Sequence, residues 1–188
     1  MGFGDIGFVG LAAFYGTLTS VAIVGLISLR GSPRPWYLFP FLCVILSFVF
    51  LTQHPFPVPG SLSCPVDTAM PQLQPFNFVR TIHTMSQWYS TPQRYLGNRL
   101  LAASVMNFVI CVAIGMALVR HVAVWRWIAL FGVLLTLTVE LTQLTGIWGL
   151  YPCAYRQFNV DDLLLNALGV ISGAALAKAW LKRRSSVS

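Results

Sequence analysis

Within the apolar stretch 124–145 stands one carboxylic acid, Glu140, with Gln143 three residues on and so on the same face of a helix. Such a polar group inside an apolar run is costly and by default marks a functional site. A short connection then carries Tyr155, Arg156, Asn159, Asp161 and Asp162, and Asn166 follows Asp162 by four residues, again on one helical face. Glu140 and Asp162 are the candidate catalytic groups, since a carboxyl can accept and return a proton. Arg156 can hold a carboxylate or phosphate through paired N–H bonds, or stabilise a developing negative charge. Glu140, Gln143, Arg156, Asn159, Asp161, Asp162 and Asn166 together form the candidate ligand-binding set. Two plainer readings stand beside it: Glu140 pairs with Arg156 as a structural clasp, or Asp161 or Asp162 caps the N-terminus of the next helix.

The elements that must position these groups are membrane spans. Of 188 residues, 56% are hydrophobic and only 9% charged, whereas a soluble domain averages about 25% charged residues. Five stretches, near 7–28, 36–53, 100–119, 124–145 and 162–181, reach the roughly 17–25 residues that a helix needs to cross a bilayer. The second contains Pro40, which predicts a late start or a bend. Residues 1–188 read as one membrane domain with no second folded unit.

Basic residues predict the orientation. Arg30, Arg34, Arg120, Arg126, Lys178, Lys182, Arg183 and Arg184 are eight of the twelve, and all fall on one side, which is therefore expected to be cytoplasmic. Asp5, Asp67, Asp161 and Asp162 fall on the other, and Glu140 lies in the half of its span nearest them. The expected fold is an all-α integral membrane bundle of five transmembrane helices, N-terminus outside and C-terminus cytoplasmic, with a cytoplasmic tail at 182–188 of which 185–188 is expected to be disordered. An uncleaved first span is expected rather than a cleaved signal peptide, because its only preceding charge is Asp5 rather than a basic residue. The net charge of +7 does not signal nucleic acid, since no basic patch is interleaved with polar sequence.

Residues 54–98 form the one long hydrophilic connection, on the expected outer side, and loops of this length usually carry function or are disordered. Residues 54–60 are too rich in proline for a helix. Beyond them Phe78, Ile82 and Met85 share one helical face. This predicts a helix lying in the outer interface with Trp88 and Tyr89 at headgroup depth, or else a cap over the mouth of the bundle. Cys64 and Cys153 both fall in outer connections, where disulfides persist, and a bridge between them is expected. Cys43 and Cys111 lie within spans as small packing residues. Gly169 and Gly173, spaced small-xxx-small, are expected to pack against the fourth span or to serve a contact between two copies.

Metal and cofactor chemistry is not expected. His54, His83 and His121 lack ligand-like spacing, and a zinc site would need about four clustered ligands. No Walker motif, dinucleotide fingerprint or nucleophile elbow is present. No internal repeat suggests an alternating-access carrier, so transport by five spans would call for a homodimer or another partner.

The order E-x-x-Q, a loop, then R-x-x-(D/N)-x-x-D-x-x-x-N-x-x-G resembles the VanZ-like family of bacterial membrane proteins. Here it reads Glu140, Gln143, Arg156, Asn159, Asp162, Asn166 and Gly169. Gln74-Pro75-Phe76-Asn77 is similar to the family's N-P-F segment. Asn107-Phe108 with Gly115 is similar to its N-x-x-x-F-x-P-x-G span, with Ala113 where proline is usual. Asn159 stands where the family often has aspartate, with Asp161 adjacent. The likeness covers about 74–175. It implies residence in the bacterial cytoplasmic membrane and a context of lowered susceptibility to teicoplanin, a glycopeptide antibiotic. Three functions follow. The first is binding or moving an amphiphile at the outer leaflet, a lipid-linked cell-wall precursor or the lipid-bearing antibiotic. The second is an intramembrane enzyme acting on a lipid head group, ranked lower because no nucleophile or metal site accompanies the acids. The third is an accessory subunit of envelope machinery.

Overall fold

Apolar runs become helices because backbone N–H and C=O groups away from water must pair within their own segment. In the computed structural model, which describes residues 3–88 and 98–185, α1 spans Phe3–Leu29, α2 Phe39–Gln53, α3 Asn77–Trp88, α4 Arg99–Leu118, α5 Trp125–Leu144 and α6 Val160–Ser185. All but α3 are long and apolar enough to cross a bilayer, five among the described residues, and the chain is an all-α, multi-pass membrane protein.

Local sequence sets the helix ends. Pro40 sits in the first turn of α2, after a 3-10 turn over Pro35–Leu38, so it starts the helix rather than bending it. Asn98 caps α4, its side chain accepting from the Leu101 amide at 3.2 Å. Asn159 does the same for α6: its Oδ1 accepts the Asp161 amide at 3.0 Å and its carbonyl accepts from Asp162 and Leu163. The cap of α6 is therefore Asn159, not Asp161 or Asp162. These two acids in the first turn and Lys182, Arg183 and Arg184 in the last complement the helix dipole. The helix continues through Ser185, so residues 182–185, expected as tail, are helical; 186–188 lie outside the described residues.

The bundle closes where side chains are smallest. Gly115 on α4 meets Val170 and Ala174 of α6, while Gly169 and Gly173 on α6 meet Phe108, Cys111 and Val112 of α4. Gly169 and Gly173 thus pack on the third span rather than the fourth. Gly132 on α5 approaches the same Val170. Without a hydrophobic drive between helices in lipid, close backbone approach of this kind supplies the van der Waals contact that holds spans together. The core around it comprises Phe48, Cys111, Ile114, Leu118, Ile128, Val139, Val170 and Ala174. On the periphery α1 packs along α2, with Gly16 against Ser47.

The two ends differ in chemistry. At one, Tyr37 Oη donates to the Arg120 carbonyl, Lys178 Nζ donates to the Ala123 carbonyl and lies 4.2 Å from the Trp125 ring, and Arg184 stacks 3.9 Å from the Trp180 ring. At the other, Cys64 and Cys153 form the expected disulfide, Cα atoms 6.2 Å apart. Around that bridge Ala69 donates to the Ala154 carbonyl, and Gln72 and Asn159 form an isolated parallel β-bridge. Tyr151 Oη donates to the Pro57 carbonyl and Gln157 Nε2 to the Met70 carbonyl. The connection 145–159 begins with Gly146, Ile147, Trp148 and Gly149 all at positive φ. Gly146 can hold that backbone where a Cβ would crowd the Cys153 carbonyl at 2.6 Å.

Helix α3 is fastened at its start to α6 through the Phe78 amide on Asp161 and packs against α4. Its inward residues are Phe78, Thr81 and Met85, the last 8% exposed, whereas Ile82 is 42% exposed. Of the three residues on the expected face, Phe78 and Met85 are turned into the protein, whereas Ile82 is exposed beside Val79. Tyr89 lies outside the described residues.

Candidate functional site

Helices α1 to α6 converge at the disulfide-bearing end on a cavity of about 370 Å³, within the size range of small-molecule sites. Glu140 and Gln143 reach it from α5; Arg156 and Asn159 from the connection; Asp161 and Asp162 from the first turn of α6. The residues singled out for chemistry thus share one chamber, except Asn166. That side chain is buried one turn deeper, where its Nδ2 donates to Thr136 Oγ1 at 3.4 Å across the α5–α6 contact. Gly169 and Gly173 likewise belong to helix packing and do not line the cavity.

Several of these polar groups are tied to a neighbouring segment. Glu140, 2% exposed, accepts the Asn159 amide at 2.7 Å through Oε2. This bond ties α5 to the cap of α6, and it takes the place of the expected clasp with Arg156. Gln143 Nε2 donates to the Thr52 carbonyl at 2.8 Å, and Tyr155 Oη donates to Gln53 Oε1 at 2.9 Å, so the last turn of α2 braces α5 and the connection. Arg156 Nη1 donates to the His54 carbonyl at 2.6 Å. Asp161 Oδ2 accepts the Phe78 amide at 2.8 Å, which fastens the start of α3 onto α6.

Among the described residues Arg156 is the one base on the cavity wall, and Glu140, Asp161 and Asp162 are its three acids. Burial lowers the Arg156 pKa from its ordinary value, and Tyr155, Glu140 and Asp162 draw it back up. A guanidinium remains charged in either case. Burial raises the pKa of the Tyr155 phenol, against the pull of Arg156. With one N–H taken by His54, the guanidinium keeps donors for an anion. Asp161 Oδ1 and Asp162 Oδ1 are buried without a partner.

Other lining groups escaped the sequence reading. Thr81 of α3, Ser104 and Asn107 of α4, Thr52 of α2 and Gln72 of the long connection all border the cavity. Ser104 and Asn107 did carry a signal: they are polar, three residues apart, inside an apolar span. Thr52 and Gln72 carried none, because only the folding of two distant connections onto each other brings them in. Beside the lining residues stand exposed apolar ones on the same helices, Val79 and Ile82 on α3 and Val105 on α4. Among the described residues no group of His, Cys, Asp and Glu could hold a metal ion.

Residues 39–182 match a family model described as VanZ/LLP1. No curated protein and no solved structure matches the chain.

Proposed function

Since this chain belongs to the VanZ/LLP1 family, we propose that it binds, and moves or shields, an amphiphile at the outer leaflet of the bacterial cytoplasmic membrane. The supporting observation is one cavity that joins a donor-bearing guanidinium to acids and is flanked by exposed apolar side chains. Arg156 takes the anionic part of the head group, Glu140 and Asp162 orient it, and the tail runs along Val79, Ile82 and Val105. At about 370 Å³ the chamber fits a head group and leaves a long tail outside. The basic, tryptophan-rich end is cytoplasmic, by the rule that arginine and lysine stay inside. The disulfide then stands on the oxidising side.

Family membership supports a link to glycopeptide resistance. A lipid-linked cell-wall precursor or a lipoglycopeptide such as teicoplanin meets the chemistry of the site, and carriage across the membrane would need a second copy or another subunit. Holding is favoured over acid–base catalysis, since Glu140 Oε2 serves a backbone amide and no nucleophile is seen beside it among the described residues. No hydroxyl or thiol among the described residues hydrogen-bonds to it. The protein in detergent is expected to bind a polyprenyl phosphate saturably, with affinity reduced roughly tenfold or more in Arg156→Gln, as for loss of a charge-assisted pair. Binding that never saturates, or that ignores Arg156→Gln, would remove the proposal's basis.

A further inference from the structure

Among the described residues three acids and one base face the same chamber, and that base can satisfy only one anionic group. The acids call for something else. Asp161 is 2% exposed; the Phe78 amide supplies one donor to its Oδ2, while its Oδ1 has none. Asp162 has side-chain hydrogen bonds with Asn159 and Ser104, yet its Oδ1 is buried and unpartnered as well. A buried carboxylate short of donors is among the costlier arrangements in a protein. A bare phosphate head, which Arg156 can take, would leave these oxygens unrelieved, since it brings no donor. Even if a proton neutralised one of the three acids, acids would still outnumber the base. A hydroxyl would supply a donor without charge. An ammonium supplies both, and pairs of opposite charge with hydrogen bonds are the strong ones in a water-poor site.

Resting on the amphiphile reading above, we infer that the head group taken here is zwitterionic, an anion on Arg156 and a primary ammonium on Asp161 and Asp162, as in the aminoalkyl phosphate of a phospholipid. The helix geometry suits this division. Arg156 stands on the connection before α6 and the two acids on its first turn, so the two charges of the ligand meet opposite charges on adjoining segments.

The test is a titration of the purified protein in detergent with dihexanoyl phosphatidylethanolamine, its N-acetylated derivative, dihexanoyl phosphatidylcholine and dihexanoyl phosphatidylglycerol, bound lipid being counted by native mass spectrometry. The ethanolamine lipid is expected to bind about tenfold more tightly than the N-acetylated one, the scale of one charge-assisted hydrogen bond. The choline lipid is expected to be weak too, since its quaternary nitrogen has no N–H. Asp161→Asn and Asp162→Asn should shrink the ethanolamine-to-acetyl ratio toward unity. Equal binding of the amine and its acetylated form by the unaltered protein overturns the inference, whatever the variants do. If none of these lipids saturates while a polyprenyl phosphate does, the zwitterion falls and the amphiphile reading stands; if that lipid fails as well, both fall.

Discussion

Glu140→Gln is expected to leave the protein at normal abundance in the membrane and, on the amphiphile reading proposed above, to abolish protection of a sensitive host against teicoplanin. The amide oxygen of glutamine can still accept the Asn159 N–H, which Glu140 receives at 2.7 Å, so the tie between α5 and the cap of α6 survives. What disappears is a carboxylate inside the cavity. Loss of a charged hydrogen-bonding group there is worth about 1.5–3 kcal/mol, or roughly 10–150-fold in ligand affinity. Glu140→Ala is a different perturbation: it strands a buried N–H and opens a void, at a combined cost of about 3 kcal/mol or more. Immunoblotting of membranes beside susceptibility measurements separates the two. Equal loss of abundance in both variants would mean that the acid only holds helices together, which is the accessory-subunit reading.

Gly173→Val is expected to remove most of the folded protein, with Gly173→Ala intermediate. A Cβ at this position would overlap the Val112 carbonyl of α4, and backbone cannot step aside as a flexible side chain can. Overpacking costs about 1–3 kcal/mol, more where backbone is the obstacle, and here it falls on the contact by which α4 and α6 hold each other in lipid. Because Ser104 on α4 and Asp162 on α6 both line the cavity, forcing the helices apart also widens the site. Gly10→Val is the matched control, since a Cβ at Gly10 meets nothing within 4 Å. Monodisperse yield after extraction reads the effect, and equal yields for the two valine variants would contradict the packing account.

The spans were legible because hydropathy acts locally: five runs had to become helices wherever they finally packed. The disulfide was legible too, once the spans placed Cys64 and Cys153 at one end. Spacing brought Glu140 and Gln143 onto one face, and the short connection returned Arg156, Asn159, Asp161 and Asp162 to that face's end. Depth was not legible. Asn166 shares a helical face with Asp162, yet one turn further in the bundle has already closed on Thr136 and no chamber is left. Partner choice was also hidden: adjacency in sequence pointed Gly169 and Gly173 toward α5, while the fold sets them on α4, more than fifty residues earlier. Ile82 lies on the spacing-defined face of α3 with Phe78 and Met85, yet it is exposed. Where the surroundings are apolar, an apolar side chain can face outward and the polar Thr81 can face the cavity, which reverses the soluble-protein rule.

The central claim is that the cavity end of this bundle holds an amphiphile by its head, with the tail along α3 and α4. The most direct measurement is photo-crosslinking in membranes with a polyprenyl phosphate carrying a diazirine in its tail, adducts being mapped by peptide mass spectrometry. The account predicts adducts concentrated around Val79, Ile82 and Val105, competed by unlabelled lipid and lost in Arg156→Gln. Adducts spread evenly over the lipid-facing surfaces of all five spans, and indifferent to Arg156→Gln, would contradict it.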